Sequence, residues 1–382
     1  MSHISERELQ LPPALIEKLL KYLSEQKGII SLGPGEPDFP APKPLVDYTK
    51  KIAGKCNHYS PPGGRKELKE AIVKKLRKEN KIKCNEENIV VTSGSQEALL
   101  LAIAATHDAT EQMIVPNPSF LAYIPTLEMM DAVPVLARLK EEDNFQINPD
   151  SLERLITKKT QSIIMNTPSN PTGMVMTRKI LEEIADIAIE HDLYVFSDEA
   201  YEKLIYDGKH VSIGSLNGMH KHVISFFTFS KSYAMCGYRL GYCVAPKPIA
   251  DAIKKMHVYT SICAPTISQM LGVKALSLQK KYMDGMAKEY KKRRDFIVKR
   301  LNEIGLATKM PGGAFYTFSS IQSYSKNSWK FALRLLKEQK VAVVPGTEFG
   351  PDGEGFIRCS YATKMPLIEK ALRRMERFVR KI

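Results

Sequence analysis

The feature that most constrains this chain is the alternation of strand and helix signals between Asn88 and Thr228. Short runs rich in β-branched and aromatic residues read as buried strands: Ile89–Thr92, Gln112–Pro116, Val133–Ala137, Gln161–Asn166, Leu193–Ser197 and Val223–Thr228. Between them, Gln96–Thr106, Asp150–Ile156 and Thr177–His191 carry helical periodicity. This order predicts an α/β fold, a mainly parallel sheet with helices on its faces. A seventh strand, Tyr242 to Ala245, is expected to close the sheet. At 382 residues the chain can bury a large core, in one big domain or two.

Open sheets of this kind bind ligands beyond the carboxyl ends of their strands, and polar residues gather there. Ser93-Gly94-Ser95-Gln96 follows the first strand and opens a helix, where free amides suit a phosphate. Asn117-Pro118-Ser119-Phe120 follows the second, and Asn166 to Gly173 the fourth. Ser197-Asp198-Glu199-Ala200-Tyr201 follows the fifth, and Lys231 the sixth. Chance places one or two such groups at an edge; five suggest a site.

The sixth strand ends in Thr228, Ser230 and Lys231, with Arg239 eight residues on. An ammonium is costly to take out of water. A lysine held there tends toward the free amine, a nucleophile for carbonyls. Arginine grips phosphate with two parallel hydrogen bonds. Together these groups suit a phosphorylated aldehyde; a surface lysine at a strand end is the plainer alternative. Taken singly, Asp198 reads equally as a helix cap, Asn170 as a turn residue, and Tyr201 and Phe120 as core.

The motif S-K-x(7)-R-x-G resembles the lysine motif of the class I/II aminotransferases, the fold-type I pyridoxal-phosphate enzymes. The resemblance extends over roughly residues 28 to 378, through ISLGPGEPDF, HYSPPGG, NPTG, SDEAYE, FSKSYAMCGYRLG and FIRCSYAT. The order and spacing of these motifs resemble most the archaeal and bacterial aspartate and aromatic branch. The resemblance implies a large domain with a seven-stranded sheet plus a smaller α+β domain, divided as an N-terminal segment 1–45, a large domain 46–280 and a small domain 281–382. It implies pyridoxal 5′-phosphate as cofactor and Lys231 as the Schiff-base lysine. Arg239, Gly94, Ser95, Gln96, Thr228 and Ser230 become phosphate-side ligands, and Asp198 the partner of a protonated ring nitrogen. Asn170 and Tyr201 would bond the ring oxygen, and Phe120 would stack on the ring where relatives carry tryptophan or tyrosine. Gly35, Asn170 and Arg358 would bind substrate, Arg358 as a bidentate partner of the α-carboxylate; the plainer alternative for Arg358 is a strand-edge residue facing solvent. Tyr59 would reach the cofactor phosphate of a neighbouring subunit, which implies a homodimer with shared active sites. The Asn117 and Asn170 bonds to proline are expected cis. Cys236 departs from the threonine of many relatives.

The implied reaction is ping-pong transfer from an L-amino acid, aspartate or aromatic, to 2-oxoglutarate. Two rivals are a C–S lyase on the same fold and a pyridoxal-phosphate-responsive DNA-binding regulator. The second needs a DNA-binding domain ahead of the body, which begins by about Ile29.

Composition bears on the rest. The net charge is +14, but the lysines of 66–83 and 280–299 are interleaved with glutamates, as on solvated helix faces. A positive field favours anionic substrates; no nucleic-acid partner is expected. Six cysteines form no CxxC and sit at no zinc spacing, so reduced thiols and no metal are expected. There is no GxGxxG, Walker loop or HExxH. The N-terminus lacks the form of a signal peptide and no stretch is long enough to span a bilayer, so a cytoplasmic protein without membrane partners is expected.

Overall fold

The computed structural model describes residues 28–382 together with residues 4, 5, 8, 9 and 11. The stretch Ala14 to Gln26, which reads as an amphipathic helix after Pro12-Pro13, lies outside them. A short strand, β1 (Ile30–Ser31), is followed by helices Lys43–Ile52 and Lys66–Lys75. The sequence from Arg65 to Asn80 reads as one helix; in the structure its last residues, Leu76–Asn80, wind more widely and end at Lys81 with φ of 62°.

The alternation then appears as β2 (Ile89–Thr92), β3 (Gln112–Asn117), β4 (Val133–Arg138), β5 (Thr160–Asn166), β6 (Tyr194–Asp198), β7 (Val223–Thr228) and β8 (Gly241–Val244). These seven form one sheet in the order β2-β8-β7-β6-β5-β3-β4. Successive residues of a strand face opposite sides, and both sides are covered. Ile163, Met165 and Val195 meet Leu181, Ile184 and Ala188 of helix Arg178–Glu190. Ile164, Phe196 and Ile224 meet Ala98, Leu101 and Ala102 of helix Ser95–Thr106. Burial on both faces is why these strands read as unbroken apolar runs.

β8 corrects the expectation that it closes the sheet. It lies inside, antiparallel to both β2 and β7. No long crossover helix links it to β7, so the chain returns beside the strand it has just left. Gly241 is thereby paired with Thr228 on one side and Thr92 on the other. This brings Ser93-Gly94-Ser95, Lys231 and Arg239 to one point of the edge.

The C-terminal part holds β9 (Tyr316–Ser320), β10 (Val341–Ala342), β11 (Val344–Pro345) and β12 (Phe356–Ser360). β12 is the centre of an antiparallel sheet ordered β11-β12-β9, and β1 pairs with β10. The stretch VAVVPG, which reads as one strand, is thus two, serving different sheets. Helices Lys281–Glu303, Ser328–Gln339 and Met365–Val379 cover this part. Ile297, Leu301, Leu335 and Phe378 share a core with Ile30, Leu32 and Tyr201. Among the described residues no helix is long and apolar enough to cross a membrane. All six cysteines are free thiols.

Candidate active site

The carboxyl edge of the seven-stranded sheet opens into a cavity of about 440 Å³, within the usual range for a small-molecule site. Every predicted site residue lines it except Tyr59, which is 80% exposed and turned away.

Lys231 stands on a single helical turn, Phe229–Ser232, that β7 runs into. The Thr228 hydroxyl caps this turn by accepting the Ser230 amide at 3.1 Å. Phe229 is buried against Tyr233 and Tyr242, while Lys231 faces the cavity and donates its ammonium to the Gly35 carbonyl. That bond ties the loop after β1 to the lysine. A Cβ at Gly35 would sit 2.8 Å from the Tyr316 hydroxyl, so a side chain there would displace that tyrosine.

Asp198 ends β6. It accepts the Tyr123 hydroxyl at 2.7 Å and the Ala200 amide at 3.1 Å. Burial pushes its carboxyl up, against the pull of these two hydrogen bonds. The acid thus sits where a cationic partner from a ligand would relieve it. Tyr201, also buried, exchanges a hydrogen bond with the Tyr316 hydroxyl at 2.8 Å. Burial, then Tyr316, raises its phenol well above the ordinary range, so it remains a donor.

Arg358 is 3% exposed. It lies on the central strand of its sheet, paired with Val344 and Phe318, and this excludes the solvent-facing alternative. Its Nη1 donates to Asn170 Oδ1 at 2.9 Å and its Nη2 to the Gly33 carbonyl at 2.6 Å, while buried Nε has no partner. The Asn170 carbonyl oxygen is therefore committed, and its NH2 is the group left to donate into the cavity. The NPTG segment is fixed by the Asn166 side chain, which accepts the Asn170 amide at 2.7 Å. Both expected cis bonds are present, at Asn117-Pro118 and Asn170-Pro171, with a third at Thr167-Pro168.

The opposite end of the cavity is a cradle. Gly94, with φ of +94°, opens helix Ser95–Thr106, and a Cβ on it would fall 2.6 Å from Arg239 Nη2. Arg239 itself has φ of 50° and donates to the Cys236 carbonyl at 3.1 Å and the Ser93 carbonyl at 3.2 Å. Left-handed backbone at both residues brings a guanidinium against the free amides of a helix start, an arrangement suited to an anion.

The sequence did not point to Tyr123 or Tyr316. Tyr123 stands three residues beyond Phe120, at the start of helix Tyr123–Met129. Tyr316 lies in a run that reads as plain strand, where packing partners alone reveal a role, and Asn166, which opens the polar segment after its strand, proves to act by holding Asn170. Asn117 is not in the cavity: it donates to Asp352 at 2.5 Å.

Fold and cavity together define an α/β enzyme with a lysine and a half-buried acid set between two arginines. Comparison with known proteins makes this specific. The chain belongs to the aminotransferase class I and II family, whose model matches residues 27–375. It is 41% identical to aromatic-amino-acid aminotransferase 2 of Thermococcus litoralis, over 99% of this chain and 98% of that protein. It is 43% identical to an aspartate aminotransferase of Pyrococcus abyssi, with the same coverage. Its fold superposes on the crystal structure of an aromatic aminotransferase from Pyrococcus horikoshii with a TM-score of 0.91 at 43% identity, covering 95% of this chain and 99% of that one. The protein is accordingly an amino-group transferase of a family whose members use pyridoxal 5′-phosphate.

Proposed function

We propose that this protein binds pyridoxal 5′-phosphate and transfers the amino group of an aspartate or aromatic L-amino acid to 2-oxoglutarate in a ping-pong reaction. The observation that carries the reading is the convergence of Lys231, Asp198 and Arg358 on one cavity, with the Gly94–Arg239 cradle at its far end. Two features fit the cofactor, an acid raised by desolvation and a glycine cradle that a Cβ would fill, and the buried Arg358 Nε without a partner fits the substrate carboxylate.

In this reading Arg239, Ser95, Gln96 and the amides after Gly94 hold the phosphate, with Thr228 and Ser230 beside them. Asp198 keeps a proton on the ring nitrogen. When bound, the coenzyme supplies an electron-withdrawing ring that takes up the electron pair left when the substrate's Cα–H bond breaks. The Asn170 side-chain NH2 and the Tyr201 hydroxyl would donate to the ring oxygen, and Phe120 would stack on the ring. Arg358 and Asn170 fix the substrate carboxylate, so that Cα–H points at Lys231. The Lys231 amine takes that proton and later returns it, as base and then acid.

The reading includes a cytoplasmic homodimer in which Tyr59 serves the partner's phosphate. The exposure of Tyr59, Val258, Tyr259 and Ile262 supports the homodimer. It also includes the division into residues 1–45, 46–280 and 281–382. The test is Lys231→Ala. The variant should lack the visible absorbance of lysine-bound coenzyme and lose exchange between amino and oxo acids. Transfer at the wild-type rate would end the assignment.

A further inference from the structure

Behind the cradle lies a carboxylate that the proposed reaction does not use. Glu97 sits in the first turn of helix Ser95–Thr106, accepting the Ser93 amide on Oε2 at 2.5 Å and the Ser261 hydroxyl on Oε1 at 2.5 Å. Ser93 is thus gripped at both ends, its N–H by Glu97 and its carbonyl by Arg239. On the third side His257, 0% exposed, places Nε2 at 3.3 Å from Glu97 Oε2 and Nδ1 at 2.8 Å from the Pro62 carbonyl. The Pro62 carbonyl takes the Nδ1 proton, and Nε2 faces the carboxylate at ion-pair distance without completing a hydrogen bond. Burial pushes the Glu97 carboxyl up, but His257, Ser261 and Ser93 outweigh it and hold it at about 2.

A fixed negative charge in the first turn of the helix that opens at the phosphate site opposes the ligand the site is built for. His257, facing that carboxylate at 3.3 Å, offsets the opposition and leaves Glu97 its other effect, ordering the turn through Ser93. We propose that Glu97 and His257 act as a unit, as positioning residues of the phosphate cradle. Through Pro62 the same unit is tied to the loop that carries Tyr59. The proposal rests on the reading of Gly94–Gln96 and Arg239 as a phosphate site.

The test compares pyridoxal 5′-phosphate with pyridoxal, which differs only in lacking the phosphate. Dissociation constants of both are measured by visible absorbance on the full-length protein, for wild type, His257→Phe, Glu97→Gln and the double variant. In His257→Phe an unopposed carboxylate remains. The preference for the phosphorylated form should fall about tenfold or more, with pyridoxal affinity unchanged. Adding Glu97→Gln should restore part of it, so the two substitutions are non-additive. A general structural role would weaken both ligands alike, and that result, or an unchanged preference, overturns the proposal. His257→Gln, which keeps one polar contact, is read by the same ratio if the phenylalanine variant does not fold. A wild-type protein that does not prefer the phosphorylated form would instead refute the phosphate site itself.

Discussion

Replacing Arg358 by methionine should separate folding stability from substrate binding. The guanidinium is buried without a carboxylate; its contacts are the Asn170 side chain, the Gly33 carbonyl and the rings of Tyr316 and Phe349, whose centroids lie 4.4 and 4.8 Å away. Burial pulls its pKa down despite the raising influence of Tyr316 and Tyr201. A base whose folded pKa is lowered carries a charge that costs the fold stability. Removing an ion from a dry site regains several kcal/mol after relaxation. Against that stand two hydrogen bonds at about 1 kcal/mol each and two ring contacts at about 0.5–1 kcal/mol each. The ligand-free variant should therefore melt at the wild-type temperature or slightly above. Binding should behave oppositely. Two charge-assisted bonds to a carboxylate are worth about 3 kcal/mol or more, so KM for the amino acid and Kd for a carboxylate inhibitor should rise about 150-fold. Arg358→Lys, which keeps the charge without the planar fork, should fall between. Scanning calorimetry and steady-state kinetics give both readings. A large drop in melting temperature with substrate affinity intact would make Arg358 a structural ion and refute the clamp.

Two further outcomes follow from local geometry. Gly94→Ala places a Cβ 2.6 Å from Arg239 Nη2 at a φ of +94°; coenzyme affinity measured by absorbance titration should drop about tenfold or more, since strain of about 1–3 kcal/mol adds to the displaced guanidinium. In acid, Glu202 and Glu97 should limit stability. Burial pushes Glu202 up, but buried Lys75, then Lys203 and His210, pull it down to about 2, and Glu97 is likewise held at about 2, against an ordinary 4.5. A depressed carboxyl stabilises the fold above the unfolded value and loses that contribution as pH falls from 4.5 toward 2; denaturant titrations of Glu202→Gln should show a flatter pH dependence in that window.

Much of the architecture is legible because a parallel sheet covered on both faces needs residues that are apolar on both faces. The ends of β2 and β7 match their apolar runs to the residue. The placement of β8 is not legible. Its run of four buried residues says that it is central, but insertion between β2 and β7 is decided by a pairing with a strand some 150 residues earlier, given by the Thr92–Gly241 register. VAVVPG fails for a related reason: the switch from β1 as partner to β12 as partner leaves no mark on an unbroken apolar stretch.

The site divides along the same line. Residues that leave a strand into a loop announce themselves together: Lys231 and Asp198 each have a plainer reading alone, but five such groups at one edge exceed what chance places there. Residues within strands do not. Arg358 between Ile357 and Cys359 has the pattern of an edge residue, and only the flanking β9 and β11 show that both sides of its strand are taken. Tyr316 reads as a strand aromatic, yet its hydroxyl bonds Tyr201 and would meet a side chain at Gly35, and its ring lies under the Arg358 guanidinium. A residue of this kind acts through three partners from three distant segments. Its role is a property of the packing, so what the sequence exposes is the chemistry at the sheet edge, and what the fold adds is the set of groups that hold that chemistry still.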